Sequence, residues 1–274
     1  MPKPSDLRPI GILNKTVRYL LGLAYNPPPD VKDWVIVYEF VADRLRAVRQ
    51  DMVIQGLISG DDSLLVLEAM VLFHIYAGYR LSDEKMNVFD PKINGDLLLD
   101  SLKRCLSLYD LGVDSNNQGL MEAIYALVAL GNSDALHRLS SFHDLSRCEE
   151  TKMVLSFSLS FLLGNFVRAF RLLRKMSPVL ACAAAPHIPV LRRRALQVCS
   201  VAYNSKVLTV PASAVSSWLQ LNSEAVLQEC AHYGLVCNVG NISFQKANFK
   251  DIATLGTCRK LDFLDEKLKN SNIK

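Results

Sequence analysis

The sequence predicts a mainly all-α protein, in which an array of helices is followed by a C-terminal winged helix with a small β-hairpin. Apolar residues recur at helical spacing from the start of the chain to about residue 204. Short connections marked by Gly, Asn or Pro separate these helical segments. After Lys206 the pattern changes to two short helices and two alternating segments around Gly240-Asn241, which is the order of a winged helix.

Residues 1–204 are predicted to form a degenerate, tetratricopeptide-like array of helices. A first apolar stripe follows Pro9, which suits the first helical turn, and the prolines at 27–29 end it. Asp30 is the expected cap of a long second helix over 31–57, and Asp61 or Asp62 caps a third over 64–79. Further helices are expected over residues 96–111, 118–130, 134–141, 148–163, 166–176 and 190–203. Because short turns join them, successive helices are expected to stack antiparallel.

Residues 205–250 are predicted to form the winged helix. A short β-like segment over 207–211 precedes a helix over 212–221, and Asn222 or Ser223 caps a second helix that ends at Gly234. Segments 236–239 and 242–244 then form the hairpin. Residues 251–274 are expected to be a polar tail with a short helix near 261–268.

Composition excludes several classes of protein. The chain has 274 residues, is 50% apolar and carries a formal net charge of +4, so it is too apolar and too weakly charged to be disordered. Its seven cysteines are scattered, without a C-x-x-C pair, and no signal peptide is recognisable, which predicts a nuclear or cytoplasmic protein that is not secreted. The longest charge-free stretch contains Pro211 and is too short for a membrane helix, so no membrane contact is expected.

Neither a catalytic site nor a cofactor or metal site is predicted. The chain lacks a P-loop, an H-E-x-x-H motif, a G-x-S-x-G motif and a Rossmann glycine fingerprint. Cys230 lies on the apolar side of its helix and is expected to be a core thiol rather than a zinc ligand with His232 and Cys237. His74 lies in an apolar run and is expected to be a hydrogen-bonded core histidine. The protein is therefore predicted not to be an enzyme.

Charge is distributed very unevenly along the chain. Residues 151–223 contain nine Lys and Arg but no Asp or Glu, so the remainder of the chain is net negative. The helix predicted over 166–176 has four cations opposite its apolar side, namely Arg168, Arg171, Arg174 and Lys175. An ordinary solvated face would mix both signs, so this face is predicted to bind phosphate groups or an acidic partner. The other members predicted for this basic surface are Arg192, Arg193, Lys206, Lys246 and Lys250.

Two details restrict this prediction. Arg194 is expected to point inward, because Val190, Val198 and Val201 surround it on the helical wheel. The second helix of the winged helix has no Lys or Arg, which disfavours sequence-specific reading of the major groove. Any contact with single-stranded RNA is therefore expected to be independent of sequence.

The second predicted helix carries a motif that resembles a family signature. Residues 40–55 read F-V-A-D-R-L-R-A-V-R-Q-D-M-V-I-Q, which is similar to the F-x-x-D-R-x-R-A-x-R-x-D-x-x-x-Q pattern of the Sac-three/GANP (suppressor of actin) family. Segments 73–75, 109–110, 130–132 and 164–170 resemble later landmarks of that family in the same order. The resemblance covers nearly the whole chain and is strongest to the short, Sac-three domain-containing members.

The resemblance implies a PCI-like fold, meaning helical repeats capped by a winged helix, without enzymatic activity or a cofactor. It implies a scaffold that binds a PCI-domain protein, a small acidic protein and RNA in nuclear messenger-RNA export of the TREX-two type. The alternative that it implies is a scaffold for centrosome duplication, spindle assembly and mitotic progression, with centrosomal proteins as partners. The implied location is the nucleus, the cytoplasm or both, including the centrosome.

The motif residues are expected to be structural. They are Phe40, Asp43, Arg44, Arg46, Arg49, Asp51 and Gln55. On the helical wheel several of them flank the apolar stripe of the second helix, where charges have to be paired or hydrogen-bonded. Arg44→Ala is accordingly expected to lower thermal stability.

Overall fold

The computed structural model describes residues 7–57, 61–142, 148–238, 240–251, 254–256 and 260–270, and divides the chain into two compact units, residues 1–125 and 126–274. The first unit contains α1 (Ile10–Tyr25), α2 (Trp34–Ile54), α3 (Asp61–Arg80), α4 (Pro91–Asp110) and most of α5 (Gln118–Val128). The mainly all-α class predicted from the sequence is confirmed. Cys258 lies outside the described residues.

Caps and aromatic contacts organise the first unit. Asp33, rather than the expected Asp30, caps α2, because its side chain accepts a hydrogen bond from the Val35 amide at 2.9 Å. The Trp34 indole donates to the Ala24 carbonyl at 3.1 Å and so joins α2 to the end of α1. Helix α3 packs against α4 and α1. The core of this unit therefore lies around α3.

Among the described residues, α3 is the one helix that is both long enough and apolar enough to resemble a membrane span. By length and composition alone, the segment Asp62–Arg80 is able to span a membrane, but 67% of it is buried inside the protein, as in the core helix of a soluble domain. Its Glu68 is also buried, at 2% exposure, and accepts hydrogen bonds from Tyr109, Ser115 and Asn117. The core of the first unit thus contains a carboxylate that is fully hydrogen-bonded.

The second unit continues with short helices. They are α6 (Ser133–Ser140), α7 (Glu149–Leu162), α8 (Phe166–Lys175), α9 (Pro178–Ala184) and α10 (Ile188–Ala202). Helix α9 was not predicted from the sequence. Its residues from Leu180 to Ala184 are all buried, so the segment has no alternation between apolar and polar faces that would identify a helix.

The winged helix lies within the second unit. It consists of β1 (Val210–Pro211), α11 (Ala212–Leu219), α12 (Ser223–His232), β2 (Val236–Asn238) and β3 (Asn241–Ser243). The strands form an antiparallel sheet in the order β1-β3-β2, in which Ile242 pairs with both Val210 and Cys237. Gly240 makes the hairpin turn at a φ of 77°, which favours glycine. A final helix, α13 (Asp262–Asn270), follows in the tail, and the domain boundary at residues 204–205 stays a prediction.

Candidate nucleic-acid interface

Helix α8 is an amphipathic helix whose start and orientation are both fixed. A tight turn and a capping side chain set where it begins, and a small apolar face sets which side packs against the protein. Gly164 precedes it at a φ of 69°, and the Asn165 side chain caps it by accepting from the Arg168 amide at 3.0 Å. Ala169, Phe170 and Leu173 are buried on its inner side. The opposite side therefore faces solvent.

The exposed side of α8 carries the four cations predicted for it. Arg168, Arg171, Arg174 and Lys175 are all exposed, as the sequence predicts. Within the described part of the chain, none of these four has a carboxylate at ion-pair distance. Arg174 and Lys175 occupy the last turn, where the helix dipole favours positive charge. Helix α8 therefore presents an unneutralised basic surface, named here the α8 basic face and defined by these four residues.

A lysine that was not predicted from the sequence, Lys267, binds the C-terminal end of α8. The Lys267 ammonium, on α13, donates to the carbonyl oxygens of Arg174 at 2.6 Å and Met176 at 2.8 Å. It thereby satisfies carbonyl groups at the C-terminal end of α8. Burial and the nearby Arg174 lower the pKa of Lys267. The polar sequence of the tail indicated a short helix but gave no signal for this contact.

The three consecutive arginines of α10 are placed differently from the prediction. Arg192 is fully buried, so its assignment to the basic surface is wrong. Its guanidinium donates to the carbonyl oxygens of Leu219 at 3.3 Å and Gln220 at 3.4 Å, and thus joins α10 to the end of α11. Arg193 pairs with Asp251 at 3.1 Å, which neutralises part of its charge.

The inward orientation expected for Arg194 is also wrong. Arg194 is exposed, and its guanidinium lies 5.2 Å from the centre of the Phe161 ring. The valines that surround it on the helical wheel face solvent rather than the core, with Val198 49% and Val201 57% exposed. The wheel therefore grouped these residues correctly but assigned the group to the wrong side of the helix.

The predicted lysines of the winged helix are exposed at its margin. Lys206 and Lys246 lie on neighbouring segments, because the Lys246 amide donates to the Asn204 side chain at 3.0 Å. Lys250 is exposed, while its aliphatic stem lies beside Gly234. Helix α8 packs against both α10 and α11. The binding role of these lysines stays a prediction.

Helix α12 offers no cation for reading bases. Glu229 is buried, and burial raises the pKa of its carboxyl group, while the nearby Arg192 acts in the opposite direction. Glu224 accepts a hydrogen bond from Gln228 at 3.3 Å, and His232 contacts the Thr254 carbonyl. That this helix does not recognise a base sequence stays a prediction.

The C-terminal half of the family motif forms a structural network in the first unit. Asp51 pairs with Arg8 at 2.7 Å, and the Gln55 amide donates to the carbonyl oxygens of Arg8 at 2.9 Å and Asp51 at 3.0 Å. Arg49 pairs with Asp100 of α4. These contacts join α2 to α4 and to the residues that precede α1. The contacts of this half of the motif therefore agree with the structural role expected for it.

The N-terminal half of the motif lies outside that network. Phe40 is 51% exposed, and Asp43 and Arg44 are exposed and pair only with each other in the contacts that the structure describes. Arg46 is exposed and lines a groove of about 650 Å³ between α2 and α4. The half-buried network expected from the helical wheel does not include these four residues. A helical wheel gives the angular position of each residue but does not show how far the neighbouring helices cover the flank of α2.

This placement reverses the expectation for Arg44. Exposed ion pairs contribute little, so Arg44→Ala is expected to change the free energy of unfolding by less than about 0.5 kcal/mol. Asp51→Ala removes a partly buried ion pair and is expected to lower it by about 1–2 kcal/mol. Urea denaturation of both variants measures the difference. Equal destabilisation by the two substitutions would show that Arg44 belongs to the network.

The candidate metal and base residues are part of the core. His74 Nδ1–H donates to Asn94 Oδ1 at 2.9 Å, and the Asn94 amide nitrogen donates to the His74 carbonyl, so the predicted core histidine is confirmed. Burial lowers the pKa of His74 and raises that of the buried Cys230 thiol. Among the described residues, no cluster of three His, Cys, Asp or Glu side chains is arranged to hold a metal ion.

Comparison with known proteins identifies the family. The family model described as SAC3/GANP family matches residues 1–239. The chain is 31% identical over 258 residues to Protein xmas of Drosophila melanogaster, an alignment that covers 86% of this chain and 12% of that protein. It is 25% identical over 252 residues to SAC3 family protein B of Arabidopsis thaliana, covering 85% of this chain and 15% of that protein. The chain thus spans less than a sixth of each of these relatives. The resemblance seen in residues 40–55 is confirmed, and the chain belongs to the SAC3/GANP family.

Proposed function

We propose that this protein is a non-enzymatic scaffold that holds single-stranded RNA on the α8 basic face during nuclear messenger-RNA export. The observation that carries the proposal is the exposure of four cations on one side of α8, without a carboxylate partner among the described residues. Lys and Arg side chains in such an arrangement bind phosphate groups and release the counterions of the nucleic acid. The location proposed with this role is the nucleus.

The dimensions of α8 suit a short run of phosphates. From Arg168 to Lys175 the helix rises about 10 Å, so its cations are distributed over a length comparable with that of a short segment of the RNA backbone. Lys206 and Lys246 at the margin of the winged helix supply additional exposed cations in the same unit. The proposed contact is therefore made to the backbone over a few nucleotides.

Base recognition is not part of the proposal. Helix α12 has no Lys or Arg, and Tyr203 stacks on Trp218, with ring centres 6.0 Å apart and an angle of 15° between the rings. An aromatic ring that is already stacked within the protein does not provide a free platform for a base. Binding is accordingly expected to be independent of sequence and sensitive to salt.

A PCI-domain protein is the proposed structural partner of the winged helix in this role. The alternative function is a centrosomal or spindle scaffold, in which the α8 basic face binds an acidic protein instead of RNA. Both functions use the same cations, so the ligand preference of the α8 basic face separates them.

The test measures binding of a fluorescent oligouridylate to the full chain by anisotropy. R168E/R171E/R174E is expected to weaken binding by about 100-fold, since it reverses three of the cations that contact phosphate. The control K15E/R18E/R46E changes the net charge equally at exposed cations of the first unit and is expected to retain most of the affinity. Because all six positions are exposed, melting temperatures should stay close to that of the unchanged protein.

Two outcomes would overturn the RNA proposal. One is the absence of RNA binding, or RNA binding that both triple variants weaken equally. The other is that polyglutamate displaces the oligouridylate at lower concentrations than unlabelled oligouridylate does, which would assign the α8 basic face to an acidic protein.

A further inference from the structure

Helix α10 has two apolar faces, and the residues that the structure describes bury only one of them. The covered face consists of Ile188, Leu191, Ala195, Leu196 and Cys199. On the opposite side Val190 is half-buried, while Arg194, Val198 and Val201 are exposed. The segment after the helix adds Val207, which is 90% exposed, and Leu208, which is 52% exposed. These six residues are named the α10 outer face.

The α10 outer face is held in place rather than frayed. The amides of Val207 and Leu208 donate to the Ser205 hydroxyl at 3.1 and 3.0 Å. The Ser205 amide in turn donates to the Phe244 carbonyl of the winged helix at 3.2 Å. Both aliphatic side chains are therefore presented to solvent by a segment with fixed backbone contacts.

The spacing of the residues on α10 is that of a helix-packing stripe. Val190, Arg194, Val198 and Val201 follow one another at four, four and three positions, which places them along a single line on the helix surface. Branched aliphatic side chains on such a line form a ridge against which another helix packs. Four exposed aliphatic residues between positions 198 and 208 also exceed the isolated surface residues of ordinary proteins.

The charged side chains on the α10 outer face and beside it in the sequence are cations. Arg194 is exposed within the face and Lys206 is exposed next to Val207, and the Arg194 guanidinium is held over the Phe161 ring. Residues 151–223, which include the whole face, contain no Asp or Glu. A partner with carboxylates beside its apolar stripe is therefore favoured, and a basic partner is repelled.

We infer that the α10 outer face docks an amphipathic helix from a different protein, with an aliphatic stripe bordered by Asp or Glu. A second copy of this chain does not suit the face, because an isologous dimer places Arg194 and Lys206 of both copies, four positive charges, in one interface. RNA does not suit it either, because the exposed side chains are aliphatic and offer no ring for a base. The site is separate from the α8 basic face and goes beyond the proposed RNA binding.

The experiment uses the full chain and a designed helical peptide of about 18 residues with a leucine stripe flanked by glutamates. A matched peptide has lysine in place of each glutamate. Anisotropy is expected to show about tenfold tighter binding of the glutamate peptide. V198S/V201S and R194Q are each expected to weaken its binding by about tenfold. The control I36S/I93S, at isoleucines of the first unit that are 57% and 58% exposed, is expected to leave binding unchanged.

Three results would overturn the inference. Equal binding of both peptides would contradict the preference for a partner with Asp or Glu beside its apolar stripe. Loss of glutamate-peptide binding in R168E/R171E/R174E, with full binding in V198S/V201S, would assign the peptide to the α8 basic face. A dimer of the full chain in light scattering that V198S/V201S converts to a monomer would assign the face to a second copy. Because the substituted valines are exposed, the variants are expected to keep the melting temperature of the unchanged protein.

Discussion

Glu68→Ala is expected to lower the free energy of unfolding by about 3 kcal/mol, because it removes the acceptor of a buried network. One carboxylate oxygen accepts from the Tyr109 hydroxyl at 2.7 Å and from the Ser115 hydroxyl at 2.6 Å, and the other accepts from the Asn117 amide at 2.7 Å. Burial and the hydrogen bond to Glu68 raise the pKa of Tyr109, which keeps its hydroxyl protonated as a donor. Without Glu68, this buried hydroxyl has lost its acceptor.

Thermal unfolding followed by circular dichroism measures the effect, with an expected decrease in Tm of roughly 10 °C for a loss of this size. Glu68→Gln is expected to have an intermediate effect, since its amide nitrogen replaces the oxygen that accepts from Asn117. Glu39→Ala, at an exposed position of α2, serves as the control and should leave Tm nearly unchanged. A Glu68→Ala variant as stable as Glu39→Ala would contradict the network.

Arg192→Ala is expected to destabilise the second unit by about 3 kcal/mol, because it removes a large, fully buried side chain and leaves two carbonyl oxygens without their guanidinium donor. The substitution removes the donors to Leu219 and Gln220, where the chain turns through a φ of 52° at the end of α11. It also removes the positive charge that opposes the rise in the pKa of the buried Glu229. The winged helix loses both a tether to α10 and a counter-charge.

Urea denaturation should separate this residue from its neighbour. Arg194→Ala, at an exposed position, is expected to change stability by less than about 0.5 kcal/mol. The double variant Arg192→Met and Glu229→Gln should recover part of the loss, because it replaces both charges together. Similar stabilities of Arg192→Ala and Arg194→Ala would contradict the buried position of Arg192.

The sequence was sufficient for features that depend on local pattern. The apolar face of α8, a hairpin with Gly240 in its turn and the exposed cations of Arg168 and Arg171 follow from helical or strand periodicity and from glycine geometry. The predicted turn is wrong by one residue, because Asn241 is the first residue of β3 and pairs with Asn238. The family followed from the spacing of charged residues in 40–55. Each of these features is decided by residues close together in the chain.

Features that depend on tertiary packing were not predictable in this way. Helix α10 has an apolar stripe on each side, and periodicity alone does not show which stripe is covered. The sequence therefore predicted an exposed Arg192 and a buried Arg194, whereas the structure has Arg192 buried and Arg194 exposed. The Glu68 network joins α3 to residues more than 40 positions later. The only sequence signal for it was an acidic residue at a core position of an otherwise apolar helix. Lys267 was missed for the same reason, since its partner carbonyls lie about ninety residues earlier.

The salt dependence of RNA affinity tests the central proposal most directly. If the α8 basic face neutralises phosphates, log Kobs for oligouridylate should fall linearly with log salt concentration, with a slope of about −2 to −3 for three or four contacts. Arg171→Gln should reduce the steepness of this slope by about 0.7, whereas Arg46→Gln in the first unit should leave it unchanged. A slope near zero, or one that Arg171→Gln does not alter, would contradict the assignment of RNA to the α8 basic face.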